Sequence, residues 1–127
     1  YPSEYGVPNY YENLLVANEE LIEERKDVYT RFLKACARGA KDMKADPESS
    51  LDILLSKQEA EQFPLSRNVE KQSTDILLSF MFDGDTPFLH QDKKVWQENI
   101  DWLYEQKIIN RKIDAEEMFV NLYEEEK

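Results

Sequence analysis

A chain of 127 residues is long enough for one modest core. Its 27 acidic side chains against 16 basic ones give a net charge of −11, a field that repels phosphate backbones and argues against nucleic acid as a partner. The single cysteine, Cys36, rules out an internal disulfide and a multi-cysteine metal site, and no apolar run reaches the roughly eighteen residues of a membrane span. Cys36 falls between Phe32 and Ala40 in an apolar helical pattern, which predicts a buried, structural thiol. The chain starts at Tyr1 without an initiator Met, so it is expected to be a fragment or a processed product. The lack of a secretion leader therefore carries no information about compartment.

The first predicted element is Asn13–Ala17, Asn-Leu-Leu-Val-Ala, a short apolar run between Pro8 and a helix start, read as a strand. Asn18 is the expected N-cap of the next helix, with Glu19 and Glu20 at the positive end of its dipole. From Asp27 to Ala45, Val28, Phe32, Ala35, Gly39 and Met43 recur at helical spacing. A basic stripe, Arg31, Lys34, Arg38 and Lys41, follows another side of that helix. It is read as a solvated face, with docking against an acidic surface as the alternative. Asp46-Pro47 ends this helix and starts another, whose expected buried face is Leu51, Leu54 and Leu55.

Ser66 is placed as the cap of a further helix with Val69, Ile76, Leu77 and Phe80 on its apolar side. Residues 83–90 are rich in turn formers and predict a loop. Asp83 and Asp85 flank Gly84, but the spacing and the bidentate Glu of a calcium loop are missing. His90 is expected to be exposed or capping, since a lone His makes a weak metal site. Asp92 opens the next helix, in which Trp96 and Trp102 are expected core residues. Asp114 and Glu117 form a capping-box pattern ahead of Met118, Phe119 and Leu122, predicting a last helix. One strand among five or six helices is an odd inventory, because a lone strand leaves backbone groups without partners. Its partner strand is expected from sequence outside this chain or from a second copy.

Tyr5 to Asn18, Tyr-Gly-Val-Pro-Asn-Tyr-Tyr-Glu-Asn-Leu-Leu-Val-Ala-Asn, resembles a segment of the thiamine-pyrimidine-precursor binding proteins, a branch of the type II periplasmic binding-protein superfamily. Glu19-Glu20-Leu21 through Arg31–Ala35, and Val95-Trp96-Gln97-Glu98 through Trp102-Leu103-Tyr104, resemble helices of the same proteins. The resemblance is weaker between Lys57 and Phe82, and its helical parts are shared with sulfonate and taurine receptors.

What it implies is a two-lobed α/β parent protein closing on a small ligand at a hinge. This chain would be its C-terminal part, mostly α with one short strand near the N-terminus. Residues 1–18 would form the crossover or hinge segment, and residues 19–127 the helical part of the first lobe. The implied function is an extracytoplasmic receptor, periplasmic or lipid-anchored, that delivers an aminopyrimidine to an ABC transporter permease, without cofactor or metal. A receptor for a sulfonate or another heteroaromatic is the alternative. Fungal relatives of this fold are cytosolic pyrimidine-forming enzymes with a Cys-Cys-Cys-Phe-Cys run. Val7-Pro8-Asn9-Tyr10-Tyr11 stands in that place without a thiol, which disfavours an enzyme, and no catalytic residue is assigned.

The candidate ligand site is Asn9, Tyr10, Tyr11 and Glu12: a flat ring to stack on the pyrimidine and a carboxylate for its exocyclic amine. If the run is extended, Tyr10 and Glu12 point one way and Tyr11 the other. The alternative is that the tyrosines pack between lobes and Glu12 is solvated.

Overall fold

The computed structural model describes residues 1–58, 64–82 and 86–123. Its described helices are α1 (Glu19–Glu24), α2 (Lys26–Ala45), α3 (Pro47–Lys57), α4 (Arg67–Met81) and α5 (Lys93–Glu105), with 3-10 turns at Pro2–Tyr5 and Ala115–Glu117. Three helix starts obey the predicted capping chemistry. Asn18 Oδ1 accepts from the Leu21 N–H, Asp46 Oδ1 from the Ser49 N–H, and Asp92 Oδ1 from the Lys94 N–H. Each satisfies a first-turn donor that the helix itself leaves unpaired. Pro47 occupies the first turn of α3, where its missing N–H costs nothing. Ser66 precedes α4 without a side-chain cap bond.

The chain divides into two compact units, one made of Tyr1–Tyr29 with Leu89–Lys127 and the other of Thr30–Phe88. In the second, α3 packs on α4. Ala37, Ala40 and Leu51 are buried among its described residues. A charge clasp joins these two helices: Arg67 reaches Glu48 at 2.9 Å and also bonds Asp52, while Lys71 reaches Glu48 at 2.8 Å. Lys44 lies over the Phe82 ring at 4.4 Å, and Phe82 sits 5.8 Å from Phe88.

In the first unit, α5 is the organising element. Ile100 and Ala115 are buried where the Ala115–Glu117 turn packs on it. Lys93 holds that turn through Glu116 at 2.6 Å, and Lys112 returns to Asp101 at 2.7 Å. α5 ends in a Schellman arrangement, the Ile108 N–H donating to the Leu103 carbonyl and the Lys107 N–H to Tyr104. Lys107 takes the left-handed φ of 58° that this ending requires.

Several expectations are corrected. Among the described residues there is no strand; in the Asn13–Ala17 run expected to be one, Asn13 lies in a bend, the following residues have no regular structure, and Leu14, Leu15 and Val16 are exposed. A strand exists through its ladder, and no segment of the described chain pairs with this one. The helix expected from Asp114 is only a three-residue 3-10 turn, because Asp114 caps the Glu116 N–H and the chain from Phe119 to Tyr123 is irregular. Leu51 is buried, but Leu54 is exposed and Leu55 half-buried. The apolar side of α4 faces outward as well, with Val69, Ile76, Leu77 and Phe80 all exposed, Phe80 by 63%. Cys36 is half-buried rather than enclosed. The Asp83-Gly84-Asp85 part of the predicted loop lies outside the described residues.

Candidate functional site

The Asn9–Glu12 segment follows a 3-10 turn closed by Gly6, whose φ of 79° suits a residue without Cβ. Within it Asn9 is exposed. Tyr10 is 47% exposed, Tyr11 half-buried and Glu12 exposed. The Tyr11 ring lies 6.1 Å from that of Trp96, tilted by 42°, and its hydroxyl accepts from the Asp92 N–H at 2.8 Å. Asn9 is held by its backbone, its carbonyl accepting from Asn99 Nδ2 at 2.5 Å. The structure thus brings Asn9 and Tyr11 onto α5 and leaves the Tyr10 ring and the Glu12 carboxylate outside that packing. An exposed ring and an exposed carboxylate two residues apart can offer a stacking face and a hydrogen-bond acceptor to a flat, amine-bearing ligand.

Beneath Tyr11 lies a layer that links distant parts of the unit. Trp96 stacks on Phe119 at 6.2 Å with planes 7° apart, and its Nε1–H donates to Gln91 Oε1 at 2.8 Å. Asn121 accepts from the Gln91 N–H at 2.9 Å and donates to the Gln91 carbonyl at 2.9 Å. His90 is half-buried rather than exposed, its Nε2 3.4 Å from Asn121 Nδ2. Trp96 and Trp102 are both half-buried, so the expected core indoles keep part of their surface exposed.

Gln91, Asn99 and Asn121 were not legible as parts of this region. The bonds that tie them together across the unit span 30 residues from Gln91 to Asn121 and 90 from Asn99 to Asn9, and no local pattern marks them. The basic stripe of α2 is exposed at Arg31, Lys34, Arg38 and Lys41, with Arg38 3.8 Å from Asp42. Among the described residues, no three His, Cys, Asp or Glu side chains converge to hold a metal ion, and no helix is long and apolar enough to cross a membrane.

Two comparisons with known proteins bear on the chain, one over its first 50 residues and one over most of its length. Residues 1–50 match the NMT1/THI5 like family. Over 121 residues, 95% of its length, the chain is 36% identical to the formylaminopyrimidine-binding protein of Halalkalibacterium halodurans. The NMT1/THI5 like family has the α/β fold of the periplasmic binding proteins, and the mostly helical described residues are consistent with a fragment of such a fold. The match to the Halalkalibacterium halodurans protein takes in α2 to α5 as well as the Asn9–Glu12 segment. The chain spans 37% of the length of that relative. No solved structure matches it.

Proposed function

We propose that the chain is part of a solute-binding protein that captures a thiamine-related pyrimidine outside the cytoplasm and passes it to an ABC importer. The observation that carries this reading is the 36% identity, across 95% of the chain, to a protein named for binding a formylaminopyrimidine. In this reading residues 1–18 form the hinge segment and residues 19–127 belong to the first lobe. The exposed Leu14–Val16 run would pair with a strand of the remaining protein, which would satisfy its ladder groups. The ligand is bound and not transformed: Val7–Tyr11 has no thiol where the pyrimidine-forming enzymes carry several.

Within the candidate segment the packing divides the work. Tyr11 anchors the segment to α5, and Tyr10 and Glu12 meet the ligand. Asn9 serves through its backbone carbonyl. A tyrosine face stacks on the pyrimidine, and a carboxylate accepts from its exocyclic amine.

Calorimetric titration of the full-length protein with a formylaminopyrimidine, a hydroxymethylpyrimidine and taurine tests the reading. The two pyrimidines bind and taurine does not; tight binding of taurine alone would support the sulfonate alternative. Glu12→Gln weakens pyrimidine binding roughly ten- to hundredfold, and Tyr10→Ala at least as much. Mass spectrometry of the recovered ligand shows it unchanged; a new product would refute a receptor.

A further inference from the structure

Three groups on one side of α5 hold the segment that precedes Glu12. The Asp92 N–H donates to the Tyr11 hydroxyl, the Trp96 ring lies beside the Tyr11 ring, and Asn99 Nδ2 donates to the Asn9 carbonyl. Spacings of four and three residues place these positions along one helical stripe. The Asn99 carboxamide is itself fixed. Its Nδ2 also donates to the Val95 carbonyl at 2.8 Å, one turn back, so both amide hydrogens are engaged. The two residues gripped, Asn9 and Tyr11, are those on either side of Tyr10.

We propose that Asn99 is a positioning residue for ligand recognition. By fixing the Asn9 carbonyl it sets the backbone that presents Tyr10 and Glu12, so that the ligand meets an edge already in place. The proposal rests on the reading that Tyr10 and Glu12 contact the ligand. Asn99 itself touches no ligand. Without its grip the segment must be ordered at the moment of binding, and the ordering cost is subtracted from affinity.

The experiment titrates a formylaminopyrimidine into the full-length protein and its Tyr10→Ala, Glu12→Gln, Asn99→Ala and Asn99→Ala/Glu12→Gln variants. Thermal melts and amide hydrogen exchange are recorded without ligand. Asn99→Ala is expected to weaken binding about two- to tenfold while barely moving the melting point. The Tyr10, Tyr11 and Glu12 amides exchange faster in that variant. Because Asn99 acts through the segment, the double variant loses less affinity than the product of the two single losses. Asn99→Asp keeps the shape but puts an oxygen where the donor was, and gives the same result should Asn99→Ala not fold.

Unchanged affinity in the Asn99 variants, with Tyr10→Ala and Glu12→Gln both weakened, overturns the positioning role and leaves the site reading intact. Full affinity in Tyr10→Ala and Glu12→Gln overturns the site reading and the positioning role together. A lowered melting point, with losses that multiply in the double variant, overturns the proposal in favour of general packing.

Discussion

Tyr11 shows how one hydroxyl can bind two remote pieces of chain. It accepts from the N–H of Asp92, the residue whose carboxylate caps α5, so the cap residue is itself held in place. Tyr11→Phe keeps the ring against Trp96 and removes only this acceptor, leaving the Asp92 N–H to water. The expected cost is about 0.5–1.5 kcal/mol of unfolding free energy, read by chemical denaturation. Lys107 presents the opposite case, a residue in a conformation that does not suit it. At φ 58° its Cβ crowds the following carbonyl, a cost glycine avoids. Lys107→Gly should raise stability by about 1 kcal/mol in the same assay, since the two closing hydrogen bonds of the Schellman ending are made by backbone alone.

At the scale of elements, what the sequence made legible was local. Asn18, Asp46 and Asp92 each act as the cap their chemistry predicts, and Pro47 starts α3, because capping depends only on residues within one turn. The capping-box pattern at Asp114 misled for the same reason: Asp114 caps a turn, but the residues after it pack Phe119 onto Trp96 rather than continue as helix. The Asn13–Ala17 run looked like a strand from its apolar pattern but forms none among the described residues, since a strand needs a paired segment that a local pattern cannot reveal. The alternation of Tyr10, Tyr11 and Glu12 was legible from a two-residue period; that α5 is what Tyr11 packs on was not.

The α3–α4 clasp carries a pH signature. Hydrogen bonds from Lys71 first, and then Arg67, hold the Glu48 carboxyl below its ordinary range. A carboxyl depressed in the folded state contributes stability at neutral pH and loses it as pH falls through the folded value. Lys71 is raised, chiefly by its hydrogen bond to Glu48, so its contribution is complete below the ordinary lysine value and is lost as pH rises through the raised one. Thermal melts of the chain and of Glu48→Gln should differ near neutrality and converge in acid. The difference will be modest, because these ion pairs are exposed.

For the whole molecule, helical periodicity announced apolar faces without saying what covers them. Val69, Ile76, Leu77 and Phe80 keep the predicted spacing on α4 yet are exposed, as are Ile53 and Leu54 on α3. Burial belongs to the assembled fold, and this chain spans 37% of the relative it matches. The division into units also has a consequence in time. Thr30–Phe88 is continuous, whereas the other unit is assembled from two ends of the chain. Its ties reach across 81 residues from Asp92 to Tyr11 and across 90 from Asn99 to Asn9. Contacts that distant close large loops before they are rewarded, so they should form after the rate-limiting step of folding. Stopped-flow refolding and unfolding would then separate the two units: Arg67→Ala, in the α3–α4 clasp, slows folding, whereas Tyr11→Phe leaves the folding rate nearly unchanged and speeds unfolding.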